Sequence, residues 1–321
     1  RTEPPQRAPA LKGASGTFDS DKLEDWKLLP TKPDWSKGFG KVFTPGEKGA
    51  QARLTKFLHK GLKGYAELRD RPDLDNTSQM SPYLRFGEIS PLQLYHTVRT
   101  ARESGETDAS QKDVEIFCKE LGWREFSYAL LYHYPDLATK NFQPRFDDFK
   151  WRTTNTALKQ WQRGLTGYPI VDAGMRQLWE TGWMHNRVRM VVASFLIKHL
   201  LIDWRDGEQW FWDTLVDADP ANNAASWQWV AGSGADASPY FRVFNPILQG
   251  VKFDPKGDYV RRFVPELKNL PNKYLHQPWI APENILEEAG IELGKTYPKP
   301  IVDHDAARTR ALSAYKDTRA A

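Results

Sequence analysis

The spacing of apolar residues constrains this chain most. From Gly46 onward they recur three and four apart, as in Ala50, Leu54, Phe57, Leu58 and Leu62, which places them on one face of a helix. Strict apolar–polar alternation is nearly absent, no strand–glycine-loop–helix unit occurs, and no segment repeats. An all-α fold is expected. Start signals agree. Ser90-Pro91 pairs a cap with a proline whose missing N–H costs nothing, and Ser110 with Asp113 reads as a capping box. The helix it opens carries Val114, Phe117, Leu121 and Phe126. Further helices are expected over Thr154–Arg163, Asp172–Thr181, His185–Leu201, Glu208–Val216 and Asn222–Ala231.

Prolines at 4, 5, 9, 30, 33 and 45 break any period early on, so residues 1–45 read as a linker or draped arm. Residues 46–305 form the helical domain, and 306–321 a polar helical tail. Of 321 residues 40% are hydrophobic, enough for a sizeable core. Forty-five basic against 41 acidic residues leave a net charge of +4, which permits an anionic partner without demanding one. The single cysteine, Cys118, excludes an internal disulfide and any cysteine-built zinc or iron–sulfur site, and fits a reducing compartment. The most apolar run, Met190–Ile202, is broken by Lys198 and His199 and falls short of the ~20 residues a bilayer requires. The start, Arg1-Thr2-Glu3-Pro4-Pro5, has neither a secretory apolar region nor a Met, so the chain reads as a fragment or a processed product. Thirteen Trp, 12 Tyr and 16 Phe imply either an aromatic-rich core or a site that stacks flat rings such as bases or a flavin.

Four segments can carry chemistry. Asn76-Thr77-Ser78-Gln79-Met80-Ser81, in a loop before a helix, offers hydroxyls and free N–H groups to a phosphate, or simply caps its own helix. Glu120, Trp123 and Arg124 share a helix face, where a carboxylate and an indole can take a base, or Glu and Arg can pair in solvent. Gly182–Met190 gathers His185, Asn186, Arg187 and Arg189 at a helix start, one Arg to reach a phosphate and another to neutralise a buried anion. Asp217-Ala-Asp219-Pro-Ala-Asn222-Asn223-Ala-Ala-Ser226-Trp227-Gln-Trp229 sets carboxylates and amides among small residues, so a flat ligand can approach closely. No third carboxylate stands at metal-ligand spacing, so no metal is expected there.

In order along the chain, Asn-Thr-Ser-x-Met-Ser-Pro-Tyr-Leu-Arg-Phe-Gly, Glu-Leu-x-Trp-Arg-Glu-Phe, Gly-Tyr-Pro-Ile-Val-Asp-Ala-x-Met-Arg-Gln-Leu, Gly-Trp-Met-His-Asn-Arg-x-Arg-Met, Asp-x-Asp-(x)₇-Trp-Gln-Trp and Tyr-Phe-Arg-x-Phe-Asn-Pro resemble the flavin domain of the cryptochrome/photolyase family, over residues 46 to about 300. The resemblance implies FAD, bound folded over between helices. It also implies light-driven electron transfer from the reduced flavin to a cyclobutane pyrimidine dimer in DNA. The alternative is a blue-light photoreceptor without repair. It implies too a monomer in a bacterial cytoplasm, associated with the nucleoid when on DNA, with no membrane and no metal. The family's antenna pigment is expected on a domain that this chain lacks.

Residue by residue, the resemblance assigns Thr77, Ser78, Gln79, Met80 and Ser81 to the pyrophosphate and Tyr65, Phe117, Arg124 and Asn186 to the cofactor's surroundings. Phe117 departs from the Trp of many microbial members. Arg189 with Asp217 is the expected ion pair beside the ring, Asp219 the acceptor for its polar edge, and Asn223 the amide that donates to it. Trp227, Trp204 and Trp151 match an electron-carrying chain. Glu120, Trp123, Asn186, Met190 and Trp229 match the wall of a lesion cavity, and Arg69, Arg187, Arg242 and Gln249 contacts to the DNA backbone or lesion edge. A second His is absent at Asn186, which favours cyclobutane dimers over (6-4) products.

Overall fold

The structure, a computed structural model, describes the chain except residues 1, 2, 7, 8, 11, 14, 18, 30, 238, 240, 241 and 321. The first two residues of the expected Tyr240–Pro246 motif thus lie outside the described part. Among the described residues every named element is helical, and the bridge from Leu293 to Tyr297 is isolated. The all-α expectation holds. No helix there is long and apolar enough to cross a membrane.

The first half comprises α1 (Glu47–Lys56), α2 (Tyr65–Leu68), α3 (Ser81–Arg85), α4 (Pro91–Glu103) and α5 (Gln111–His133). Ser90 accepts from the Gln93 N–H at 3.0 Å, so α4 starts where the sequence places it. The capping box is also present, and Asp113 does more than cap. It accepts from the N–H groups of Gly64 and Ala66, pinning the start of α2 to the start of α5. Burial alone would raise this carboxyl, yet those hydrogen bonds hold it below its ordinary range.

The second half runs through α6 (Asn155–Gln162), α7 (Pro169–Thr181), α8 (Asn186–Ser194), α9 (Trp204–Thr214), α10 (Pro220–Ala231), α11 (Pro246–Phe253), α12 (Asp258–Phe263), α13 (Asn272–Leu275), α14 (Glu283–Glu288) and α15 (His304–Ala320). Three starts lie earlier than expected, at Pro169, Trp204 and Pro220 instead of Asp172, Glu208 and Asn222. Asp203 and Asp219 each accept backbone N–H groups two or three residues on, and proline preorganises the first turn of α7 and α10. The expected helix to Leu201 changes register at Ser194 into a π turn, Phe195–His199.

Each half has its own apolar cluster. Leu54, Phe57, Leu62, Val98 and Phe117 centre the first, and Trp161, Val171, Leu196, Trp227 and Tyr259 the second. Trp183 crosses from the second half to plug into the first cluster. Helix α10 joins the halves, packing on α5, α8 and α9.

Both ends of the chain touch this body. The arm before α1 closes on the end of α7: Gly38 lies against the Glu180 carbonyl, where a Cβ would fall 1.6 Å from the oxygen, and Trp35 stacks on Trp179. In the tail, Ala307 and Ala311 are buried, Arg310 donates to the His199 carbonyl at 2.7 Å, and the His199 and His304 rings share a hydrogen bond.

Candidate functional site

The loop and first turn leading into α10 gather groups from four other helices. Asp219 caps α10 through Oδ1, which accepts from Ala221 N, Asn222 N and Asn222 Nδ2. Its Oδ2 accepts from the Tyr128 hydroxyl of α5 at 2.5 Å. Arg85 of α3 donates to the Ala218 carbonyl. Arg189 of α8 donates to Asp217 Oδ2 at 2.8 Å and to the Met184 carbonyl. Asp217 is buried, and its Oδ1 has no partner among the described residues. An unpaired carboxylate oxygen out of water is costly, so its position marks a place for a donor.

Asn223, one turn into α10, corrects an expectation. Both hydrogens of its amide go to Glu208 of α9, at 3.0 Å to the backbone oxygen and 2.8 Å to Oε1. Both partners are acceptors, so the amide orientation is forced and only the carbonyl remains free. Asn223 therefore offers an acceptor, not the donor read from the sequence. Burial pushes the Glu208 carboxyl upward, against the bond from Asn223.

The Thr77 loop lies between α2 and α3. Arg53 of α1 clamps it from one side, donating to the Ser78 and Thr77 carbonyls at 2.8 and 3.0 Å and to Asp75. With those carbonyls turned to Arg53, the loop leaves N–H and hydroxyl groups for its other face. Gln79 sits at φ +51°, a left-handed turn that side chains rarely adopt, and Ser78 Oγ accepts from Met80 N. The Met80 side chain is a core residue of the first cluster, as is Phe117, which packs on Phe57 and Tyr65. These two side chains do not line an open site. Burial raises the Tyr65 phenol well above its ordinary value. Ser81 is exposed at the start of α3.

A second group lies outward along α5 and α8. Glu120 pairs with Arg69 of the α2 C-terminus, not with Arg124, whose guanidinium meets Glu125 at 2.8 Å and lies over the Tyr128 ring. Trp123, three residues on from Glu120, is 54% exposed. Asn186 is exposed at the first position of α8, while Met190 and Trp229 are half-buried. Arg187 is not a free cation: it donates to Asp70 at 2.7 Å and lies over Phe253. Arg242 is exposed, and Gln249 Oε1 is buried without a partner among the described residues. His185 caps α8 among Asp70, Arg187 and Arg189, and burial drives its imidazole down to about 4.

The three tryptophans span the second half from inside to surface. Trp227 is buried against Gly207 of α9, where a Cβ would fall 2.2 Å from the indole. Trp204, three residues before Gly207, is fully buried and donates to Asn141 at 2.9 Å. Trp151 is half-buried in a surface cavity that also contains Ile202 and Asp203, the residues just before Trp204.

Sequence reasoning missed Arg53, Tyr128, Asp70 and Glu208. Tyr128 lies eight residues beyond Glu120 on α5, a spacing visible in the sequence; the other three approach across the fold and leave no local signal.

Comparison with known proteins fits this arrangement. Residues 117–317 match the family model described as the FAD binding domain of DNA photolyase. A deoxyribodipyrimidine photo-lyase of Agrobacterium fabrum is 62% identical over 92% of this chain and 61% of its own length. The crystal structure of a class III photolyase from Agrobacterium tumefaciens superposes with a TM-score of 0.92 at 60% identity, over 96% of this chain and 63% of that one. A Synechocystis cryptochrome gives a TM-score of 0.80 at 36% identity, over 85% and 56%. The chain thus spans about three-fifths of the length of the photo-lyases it matches. It belongs to the family of the FAD-binding domain of DNA photolyases.

Proposed function

We propose that this chain is the catalytic part of a light-driven repair enzyme that splits cyclobutane pyrimidine dimers in DNA. FAD is its cofactor, damaged DNA its partner, and it acts as a cytoplasmic monomer whose antenna pigment is held outside the helical domain of residues 46–305. The observation that carries the reading is the outward pair of Glu120 and Trp123. A partly exposed carboxylate steadied by Arg69 sits one turn from a half-exposed indole, the combination that hydrogen-bonds one edge of a flipped base and stacks on its face. A pure photoreceptor has no use for such a mouth.

The residues present suit FAD. The buried, unpartnered Asp217 Oδ1 asks for a donor, and the Arg53-clamped loop from Thr77 to Ser81 presents groups for phosphates. Bound FAD supplies the ring that absorbs light and gives up an electron. The Arg189–Asp217 ion pair would flank that ring, and Asn223, fastened by Glu208, would leave its carbonyl as the acceptor for a donor on it. Trp227, Trp204 and Trp151 return electrons from the surface. Glu120 and Trp123 hold the extruded dimer, with Asn186, Met190 and Trp229 around it. Arg69 acts through Glu120 and Arg187 through Asp70, leaving Arg242 and Gln249 to meet the DNA directly.

The test is dimer loss from ultraviolet-irradiated oligothymidine by FAD-loaded, chemically reduced protein under blue light, with a dark control. Loss of dimers only in the light supports repair. Bound flavin that bleaches and recovers without dimer loss supports the photoreceptor reading, which the likeness to the Synechocystis cryptochrome keeps as the second choice.

A further inference from the structure

The Trp151 end of the indole chain opens into a cavity of about 360 Å³, within the size range of small-ligand sites. Arg152, Thr153, Asn155, Arg205 and Asp206 line it together with Trp151. Their charges are unequal in availability. Arg205 is held by both oxygens of Asp203, at 3.1 and 3.0 Å, and by the Thr139 carbonyl, so that pair is closed. Arg152 is exposed, and among the described residues its guanidinium has no carboxylate partner. Arg310 lies near enough for the two cations to repel. Asp206 is exposed and unpaired among the described residues. Burial first, then the neighbouring Asp203 charge, pushes its carboxyl above the ordinary range. One free cation, one free carboxylate of raised basicity, a hydroxyl, an amide and the Trp151 indole, which also packs on Phe149, therefore line one water-accessible space.

We propose that this cavity is a docking site for a small planar ene-diol that re-reduces Trp151. The inference rests on the electron-chain reading above. An ene-diol ring stacks on the indole, its oxygens meet Arg152, Thr153 and Asn155, and a hydroxyl that still carries its proton faces Asp206. One electron passes from the ene-diol to the oxidised indole and restores it. One proton passes from the same ene-diol to the Asp206 carboxylate and then to water. The donor leaves as its one-electron-oxidised radical. Without a seat at this end, re-reduction depends on random collision; with one, it saturates.

Flash photolysis of the FAD-loaded protein tests this, using ascorbate as the anionic ene-diol and catechol as the neutral one. The decay of oxidised Trp151 is expected to saturate with either donor. Arg152→Gln raises the half-saturating ascorbate concentration about tenfold, the loss of one charge-assisted hydrogen bond, and shifts catechol much less. Asp206→Asn slows the saturated step for both donors and leaves half-saturation in place. In the dark, ligand-observed NMR detects ascorbate on the parent protein, and the signal fades in Arg152→Gln. Decay linear in donor and indifferent to both substitutions overturns the docking site alone. A flash that produces no oxidised tryptophan overturns the electron chain, and the docking site with it.

Discussion

The segment from Asp217 to Asn223 and the mouth at Glu120 and Trp123 are built from the same kinds of residue and behave oppositely. In the inner segment nearly every polar atom is committed: Asp219 to a helix start and Tyr128, Asn223 to Glu208, Arg189 to Asp217. Among the described residues Asp217 Oδ1 and the Asn223 side-chain carbonyl are left over. At the mouth, Arg69 holds Glu120 while both remain part-exposed, and Trp123 stands in solvent. Buried charges tolerate only one arrangement, because each unpaired group costs the full desolvation penalty. Exposed pairs exchange partners with water at little cost, and so can accept a substrate that comes and goes.

That contrast can be broken, and the largest lever is Asp217. Asp217→Ala strands Arg189 in a part-buried site and is expected to lower stability by about 3 kcal/mol or more in chemical denaturation, with loss of flavin absorbance. A variant as stable as the parent would erase the distinction between the two regions. Replacing both partners, as Arg189→Met with Asp217→Leu, is expected to return most of the stability but not the flavin.

His185, which adjoins both regions, gives the next effect. Burial depresses its imidazole to about 4, below the unfolded value near 6.5. Between those values the unfolded chain binds the proton and the native one does not, so stability is present above 6.5 and lost as pH falls toward 4. The loss amounts to about 3 kcal/mol at most, and buried His199, lowered to about 3, adds to it. His185→Gln is expected to flatten the denaturation midpoint across that window; an unchanged pH profile rejects the assignment.

Trp227→Phe is smaller in stability, about 1 kcal/mol or slightly more, since a ring still fills the space over Gly207. It is expected to abolish photoreduction of oxidised flavin and to spare repair by chemically reduced protein, so equal loss of both contradicts the division of labour. Glu120→Ala is the smallest in stability, below about 1 kcal/mol. Flavin is expected to stay bound while dimer repair falls; a cofactor-free product would move Glu120 inward.

Helix positions were largely legible because period and caps are local. Ser90, Ser110 and Thr154 begin their helices where the sequence says, and the early starts at Pro169 and Pro220 follow from a proline preference that the spacing of apolar residues overlooks. The site was legible in a different way. Ordered motifs identify the residues, but not their bonds. Arg187, which the motif offers to DNA, pairs with Asp70; Met80, beside the cofactor in the motif, packs in the core; Asn223 commits both amide hydrogens to Glu208 and keeps its carbonyl free.

By itself, then, the order of residues determined that this chain is helical, where its helices begin, and which family its motifs follow, since periodicity, capping and spacing act within a few residues. Only the tertiary structure decided which lone pairs and protons remain unclaimed. That is a property of partners brought in from 15 residues away, as Glu208 is to Asn223, or from 117, as Asp70 is to Arg187. Hydrogen bonding is saturable, so what a side chain can offer a ligand is known only once every neighbour has taken its share.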